Sequence, residues 1–216
     1  MKIKRLVVLI SGSGSNLQAL IDQVHLIPKV LAEIVAVISN RADAYGLERA
    51  TAAGINTQVL DHKAFPSREA FDQALQGLID EYAPDYVILA GFMRILTADL
   101  VNHYHGRMIN IHPSLLPDYK GTRTHERVLA DGKAEHGASV HFVTAELDGG
   151  PVIMQVKIPV LPHDTPESLA QRLLTQEHRI YPAVVKLLAN EQVRLGTQGV
   201  ELDGQLLTQP LLLPSN

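Results

Sequence analysis

The sequence predicts an α/β fold: a Rossmann-like, open, mostly parallel twisted sheet with helices on both faces and an antiparallel C-terminal portion. Three observations carry this. Short apolar runs such as Leu6–Ile10 and Tyr86–Leu89 read as strands buried on both faces, as parallel sheets require. These runs alternate with stretches whose apolar residues recur at helical spacing, the pattern of βαβ units. After about residue 120 the alternation stops. Two β-rich runs, Ala138–Val143 and Val152–Val160, are joined by Glu146–Pro151, which reads as a hairpin connection.

The elements follow in order. Leu6–Ile10 is the first strand, and Ser15-Asn16 opens a helical pattern through Leu17, Leu20, Ile21 and Val24. Ile34–Ile38 is the second strand. Gly46–Ala53 is helical and stops at Gly54, which suits a left-handed cap. Asn56–Leu60 is a weaker strand, and Arg68–Tyr82 carries a helix face of Phe71, Leu75, Leu78 and Ile79. After Tyr86–Leu89 comes Met108–Ile111, where apolar residues alternate with Asn110 and His112 until Pro113 ends the strand. Thr165 caps and Pro166 starts a long helix bearing Leu169, Leu173, Ile180, Val184 and Leu187. The tail from Val193 reads as small strands or irregular chain. No repeat or linker interrupts the sequence, so one domain is expected over 1–216.

Composition excludes several classes. With 216 residues, 46% hydrophobic and 19% charged, the chain suits a soluble domain with a substantial core. A net charge of −4 without a basic run argues against nucleic acid. There is no cysteine, hence no disulfide and no thiolate nucleophile. Basic residues precede Leu6–Ile10, but that run is too short for a signal peptide, and no stretch is long enough for a membrane helix. A cytoplasmic location is expected.

Four segments can carry chemistry. Ser11-Gly12-Ser13-Gly14-Ser15-Asn16 follows a strand and opens a helix, where unpaired backbone N–H groups can cradle a phosphate. The third glycine of a dinucleotide motif is replaced by Leu17, no acid follows the second strand, and there is no P-loop lysine. A single phosphate monoester therefore fits better than NAD or ATP, with a plain turn as the alternative. Asn110 and His112 share one strand face and could hold and protonate a carbonyl oxygen, or could be bonded locally at a strand end. Five other histidines, His25, His62, His103, His105 and His163, read as surface residues. In Leu147–Pro151, Asp148 either caps an exposed turn or is let inward by the two glycines, and a carboxylate beside His112 would favour the imidazolium. Ala90–Leu96 suits a flat aromatic ligand with polar edges, or simply covers the core with Arg94 in solvent. No metal is expected: His136 and His141 are too loosely spaced, and no HExxH or cysteine pair exists. A serine nucleophile elbow is also missing, since Asn16 stands where the second glycine belongs.

These pieces, in this order, resemble the folate-dependent glycinamide ribonucleotide (GAR) formyltransferases of purine synthesis. The resemblance rests on Ile10–Gln18, Ser39–Gly46, Leu89–Leu96, Asn110–Pro117, His136–Val143 and Asp148–Pro151, and so spans almost the whole chain. Asn-x-His-Pro-Ser-Leu-Leu-Pro and Asp-Gly-Gly-Pro are shared by the wider superfamily. Ser-Gly-x-Gly-Ser-Asn and Gln176-Glu177-His178 narrow it to the GAR enzymes.

The resemblance implies a formyltransferase fold, with 1–105 mainly binding phosphate and GAR and 106–216 mainly catalytic and folate-binding. It implies that Gly14, Ser15 and Asn16 cradle the GAR phosphate. Gly91, Met93, Ile111, Pro113 and Glu177 supply the other GAR contacts, Glu177 at the ribose hydroxyls. Arg68, Met93, Arg94, Ile95, Leu96, Asn110, Val143 and Asp148 face the folate, and Asn110, His112 and Asp148 form the catalytic set. The co-substrate implied is 10-formyltetrahydrofolate, with small-molecule substrates only and a monomer or weak homodimer. Leu174 replaces a polar residue near GAR, and Lys120–His125 departs modestly from the usual loop and reads as a mobile flap. Methionyl-tRNA formyltransferases add a C-terminal domain and a basic surface, and formyltetrahydrofolate hydrolases an N-terminal domain, neither of which is expected here. A phosphate-binding module without activity would leave Asn110, His112 and Asp148 unexplained.

Overall fold

The computed structural model describes residues 2–214; residues 1, 215 and 216 of the expected domain lie outside the described residues. The chain forms two compact units, Met1–Asn110 and Ile111–Asn216.

In the first unit β1 (Lys4–Ile10) pairs in parallel with β2 (Ala32–Ser39) on one side and β4 (Tyr86–Leu89) on the other. Parallel β3 (Asn56–Val59) extends the sheet beyond β2. Met108–Asn110, the start of β5 (Met108–His112), extends it beyond β4. The central position of β1 explains its composition: Val7, Val8, Leu9 and Ile10 have no exposed surface, so no polar residue interrupts the run. Helical turns separate the strands. α1 (Ser15–Leu20) continues as a π-helical stretch to His25, and α2 spans Gly46–Ala52. α3 (Arg68–Asp80) is capped by the Ser67 hydroxyl and buries Phe71, Leu75 and Ile79 four residues apart. α4 (Ala98–His103) gives no periodic signal in the sequence because it has six residues and buries only Leu100 and Val101. The loops after β1, β2 and β4 leave the carboxyl ends of neighbouring parallel strands, where open α/β sheets place ligands.

In the second unit β6 (Glu135–Phe142) and β7 (Val152–Pro159) form the expected antiparallel hairpin, with a bulge between Val140 and His141. β11 (Leu211–Leu213) adds to β7 in parallel, while β8 (Val193–Leu195), β9 (Val200–Leu202) and β10 (Gln205–Leu206) form an antiparallel meander. The tail is thus regular, in strands too short to show a period. α6 (Pro166–Ala189) starts with a capping box in which Thr165 and Ser168 satisfy each other's backbone N–H. Its buried stripe packs on β6, β7 and α5 (Thr124–Ala130). α5 begins at the end of the Lys120–His125 segment expected to be a flap.

Candidate active site

The first unit holds a cleft of about 470 Å³ at the carboxyl ends of its strands, within the range of small-molecule sites. Ser11–Asn16, Asn40, Arg41, His62, Ala90, Gly91, Met93 and Arg94 line it. Gly14 has φ +70, and a Cβ there would lie 2.6 Å from the Gly46 Cα. Only glycine fits, because the start of α2 packs backbone to backbone against the loop. The Gly46 N–H donates to the Gly12 carbonyl at 3.0 Å, and the Arg49 guanidinium donates to the Ser13 carbonyl at 2.8 Å. The loop is therefore braced from behind, and Gly14, Ser15 and Asn16 open a helical run that extends to His25. Backbone N–H groups at the start of a helical run suit an anion.

Ala90–Leu96 divides its residues. Ala90 and Phe92 are buried, whereas Met93 and Ile95 are 78% and 57% exposed. The loop thus covers the core and also offers apolar surface outward. The Arg94 guanidinium stacks 4.7 Å above the Phe71 ring instead of standing in solvent.

In the second unit β5 delivers His112, 6% exposed, into a ring of polar partners. Its Nδ1 lies 3.5 Å from Asp148 Oδ2, and its Nε2 lies 2.9 Å from the Tyr119 carbonyl oxygen. A carbonyl can only accept, so Nε2 carries the proton. Asp148 points inward with an 8% exposed side chain, which settles the two readings of its turn. Its φ is +48, and its Oδ2 accepts the Gly121 N–H at 2.9 Å. His141 Nε2 lies 3.8 Å from the other oxygen, while its Nδ1–H donates to the Phe142 carbonyl at 2.9 Å. Burial pushes His141 below the ordinary histidine range, so it is neutral at pH 7. Of the two imidazoles beside Asp148, His112 is the nearer.

The formyl transferase family profile matches residues 4–185. The chain belongs to the formyl transferase family. It is 55% identical to the phosphoribosylglycinamide formyltransferase of Escherichia coli (strain K12), covering 94% of this chain and 95% of that protein. It is 46% identical to the Homo sapiens trifunctional purine biosynthetic protein adenosine-3 over 92% of this chain, but over 20% of that much longer protein. The solved phosphoribosylglycinamide formyltransferase structure of Coxiella burnetii superposes with a TM-score of 0.93 at 50% identity, covering 99% of this chain and 100% of that one.

Within this formyl transferase the other expected site residues are spread over both units. Arg68 stands at the start of α3, largely exposed and 3.7 Å from Glu69. Leu96 is half-buried ahead of α4. Asn110 and His112 alternate along β5 with Ile111, which is buried, and half-buried Pro113 follows. Val143 is half-buried just past β6, and Glu177 is buried on α6. His62, expected on the surface, instead lines the cleft, with Nδ1 3.2 Å from the Asn40 amide nitrogen and from the Asn40 carbonyl oxygen. Sequence reasoning names Ser11 only as part of the glycine loop and assigns no role to Asn40, Gly46 or the Tyr119 carbonyl. Ser39–Gly46 matches the family, but its spacing names no role.

His125 and His136 are a further unexpected pair, with His125 Nδ1 3.0 Å from His136 Nε2. One ring donates and the other accepts, so the accepting ring must be neutral. Burial first, then the nearby His112 charge, lowers the His125 pKa. Burial, then His125 and His112, lowers that of His136 to about 4. The unfolded chain takes up these protons near pH 6.5, so this stability is complete above that pH and is lost as pH falls toward 4. His136 alone should cost about 2 kcal/mol between pH 7.5 and pH 5. Urea unfolding at both pH values should find His136→Gln less acid-sensitive than the parent protein, and equal acid sensitivity would exclude the effect.

Proposed function

We propose that this formyl transferase moves the formyl group of 10-formyltetrahydrofolate to the amine of GAR in purine synthesis. The carrying observation is the buried His112–Asp148 pair on the family's motif, in a chain similar along its length to phosphoribosylglycinamide formyltransferases. In this reading Gly14, Ser15 and Asn16 hold the phosphate. Gly91, Met93, Ile111, Pro113 and Glu177 complete the GAR site. Arg68, Met93, Arg94, Ile95, Leu96, Asn110, Val143 and Asp148 receive the folate.

The GAR amine nitrogen forms a bond to the formyl carbon, and the carbonyl electron pair moves onto oxygen. Asn110 and His112 Nε2 donate to that oxyanion, His112 acting as the general acid. Each well-placed donor is worth about 2.7–4 kcal/mol of barrier. As the oxyanion collapses the bond from carbon to folate N10 breaks, and the proton lost by the amine reaches N10 through a water ordered by Asp148. His112 Nε2 already bonds an oxygen, that of Tyr119 at 2.9 Å. The 119–121 segment must surrender that bond when substrate enters, which makes it a gate over the acid.

The test is an assay of purified protein with GAR and 10-formyltetrahydrofolate, set beside GAR with formate and ATP. Formyl-GAR should form only from the folate. Product formed only from formate and ATP would overturn the reading.

A further inference from the structure

One hydroxyl ties together the loops that form the first unit's cleft. Ser11, 6% exposed, follows β1. Its Oγ–H donates to Asn40 Oδ1 at 2.6 Å, in the loop after β2. The same oxygen accepts the Met93 N–H at 2.8 Å, in the loop after β4. A serine hydroxyl has one proton to give, and here it is used at full strength on a 3% exposed amide. Asn40 in turn meets His62, beyond β3, at 3.2 Å. Side chains and backbone groups following four parallel strands are thus linked in a row, with Ser11 at the junction.

This junction lies immediately before the glycine loop. Gly12 and Ser13 are exposed. The loop's shape depends on its anchors. Gly46 and Arg49 hold it from the α2 side, and Ser11 holds it from the cleft side. We propose that Ser11, held by Asn40, is a positioning residue that fixes the glycine loop for the substrate's phosphate. This rests on the assignment of that loop to the GAR phosphate. Ser11 touches no reacting atom in this scheme; it sets the aim of the N–H groups three to five residues further on.

Positioning of this kind predicts a loss that depends on the phosphate. Ser11→Ala should lower kcat/KM for GAR about tenfold, mainly through KM, because a buried acceptor and a part-buried N–H both lose their partner. It should lower kcat/KM far less for the same nucleoside without its 5′-phosphate, where only the Met93 contact is disturbed. Asn40→Ala should give the same selective loss, the double variant should be no worse than either single, and Ser11→Thr should restore most of the activity. Equal losses with both substrates would mean a merely structural hydroxyl, and no loss with GAR would also overturn the proposal. If the parent protein does not formylate GAR at all, the proposed function fails, and positioning is then read from inorganic phosphate. Phosphate should raise the thermal midpoint of the parent protein more than that of either alanine variant, and equal shifts would refute the role of Ser11.

Discussion

His112→Ala is expected to lower kcat by two to four powers of ten, the range lost when a positioned acid is removed. KM for GAR should change by a few-fold at most, because in the proposed reading the phosphate is bound by Gly14, Ser15 and Asn16 and not by His112. Two losses combine. In the proposed mechanism the oxyanion loses a donor, and Asp148 keeps an 8% exposed carboxylate that has lost its nearer imidazole while the Gly121 N–H still bonds to it. The second loss is also one of stability, since a buried charge stripped of its partner is costly. His112→Gln separates the two by keeping a donor of similar reach without a ring that can carry charge. If the histidine works as an acid, Gln should recover stability but little turnover. Steady-state kinetics with both variants decide this: kcat within threefold of the parent protein in His112→Ala would remove His112 from the chemistry.

The parts of this molecule that a reader can find in the sequence are those set by local rules. β1 and β4 are legible because a strand covered on both faces must be apolar throughout. The cap of α6 is legible because Thr165 and Pro166 solve a problem of the helix's own first turn. The glycine loop is legible for the same reason: a strand running into a helix through glycines presents its donors wherever it occurs. What stayed hidden depends on residues far apart in the chain. Gly46 is needed because the backbone of Gly14 packs on it, and nothing near residue 46 says so. His62 looks like any exposed histidine until Asn40 is placed beside it. The Tyr119 carbonyl that occupies His112 is a backbone group, which every residue has. α4 and α5 were missed because six or seven residues with two buried side chains show no period.

Asp148 lies between these cases, and its two glycines make the sharpest test. Spacing alone allows an exposed turn or an inward carboxylate. The structure shows why the inward form holds. Phe142 N–H donates to the Pro151 carbonyl at 3.0 Å, closing the hairpin end over Gly150. A Cβ on Gly150 would overlap the Phe142 carbonyl oxygen and lie 3.2 Å from Thr144 Cγ2. Backbone cannot yield as a side chain can, so Gly150→Ala must push 148–151 off β6 and carry Asp148 away from His112. The nearest atoms to a Cβ on Gly149 belong to the exposed Glu146 side chain, which can rotate aside by giving up its contact with Lys120. Two adjacent substitutions of the same size should therefore differ. Gly149→Ala should keep kcat within about twofold. Gly150→Ala should lower kcat at least tenfold and lower the thermal midpoint as well, since overpacking costs about 1–3 kcal/mol. The kinetic loss should also vanish as a separate effect once the carboxylate is gone: Gly150→Ala added to Asp148→Asn should leave kcat at the Asp148→Asn level. Full additivity would mean that Gly150 acts elsewhere in the fold, and that the hairpin does not set the position of Asp148.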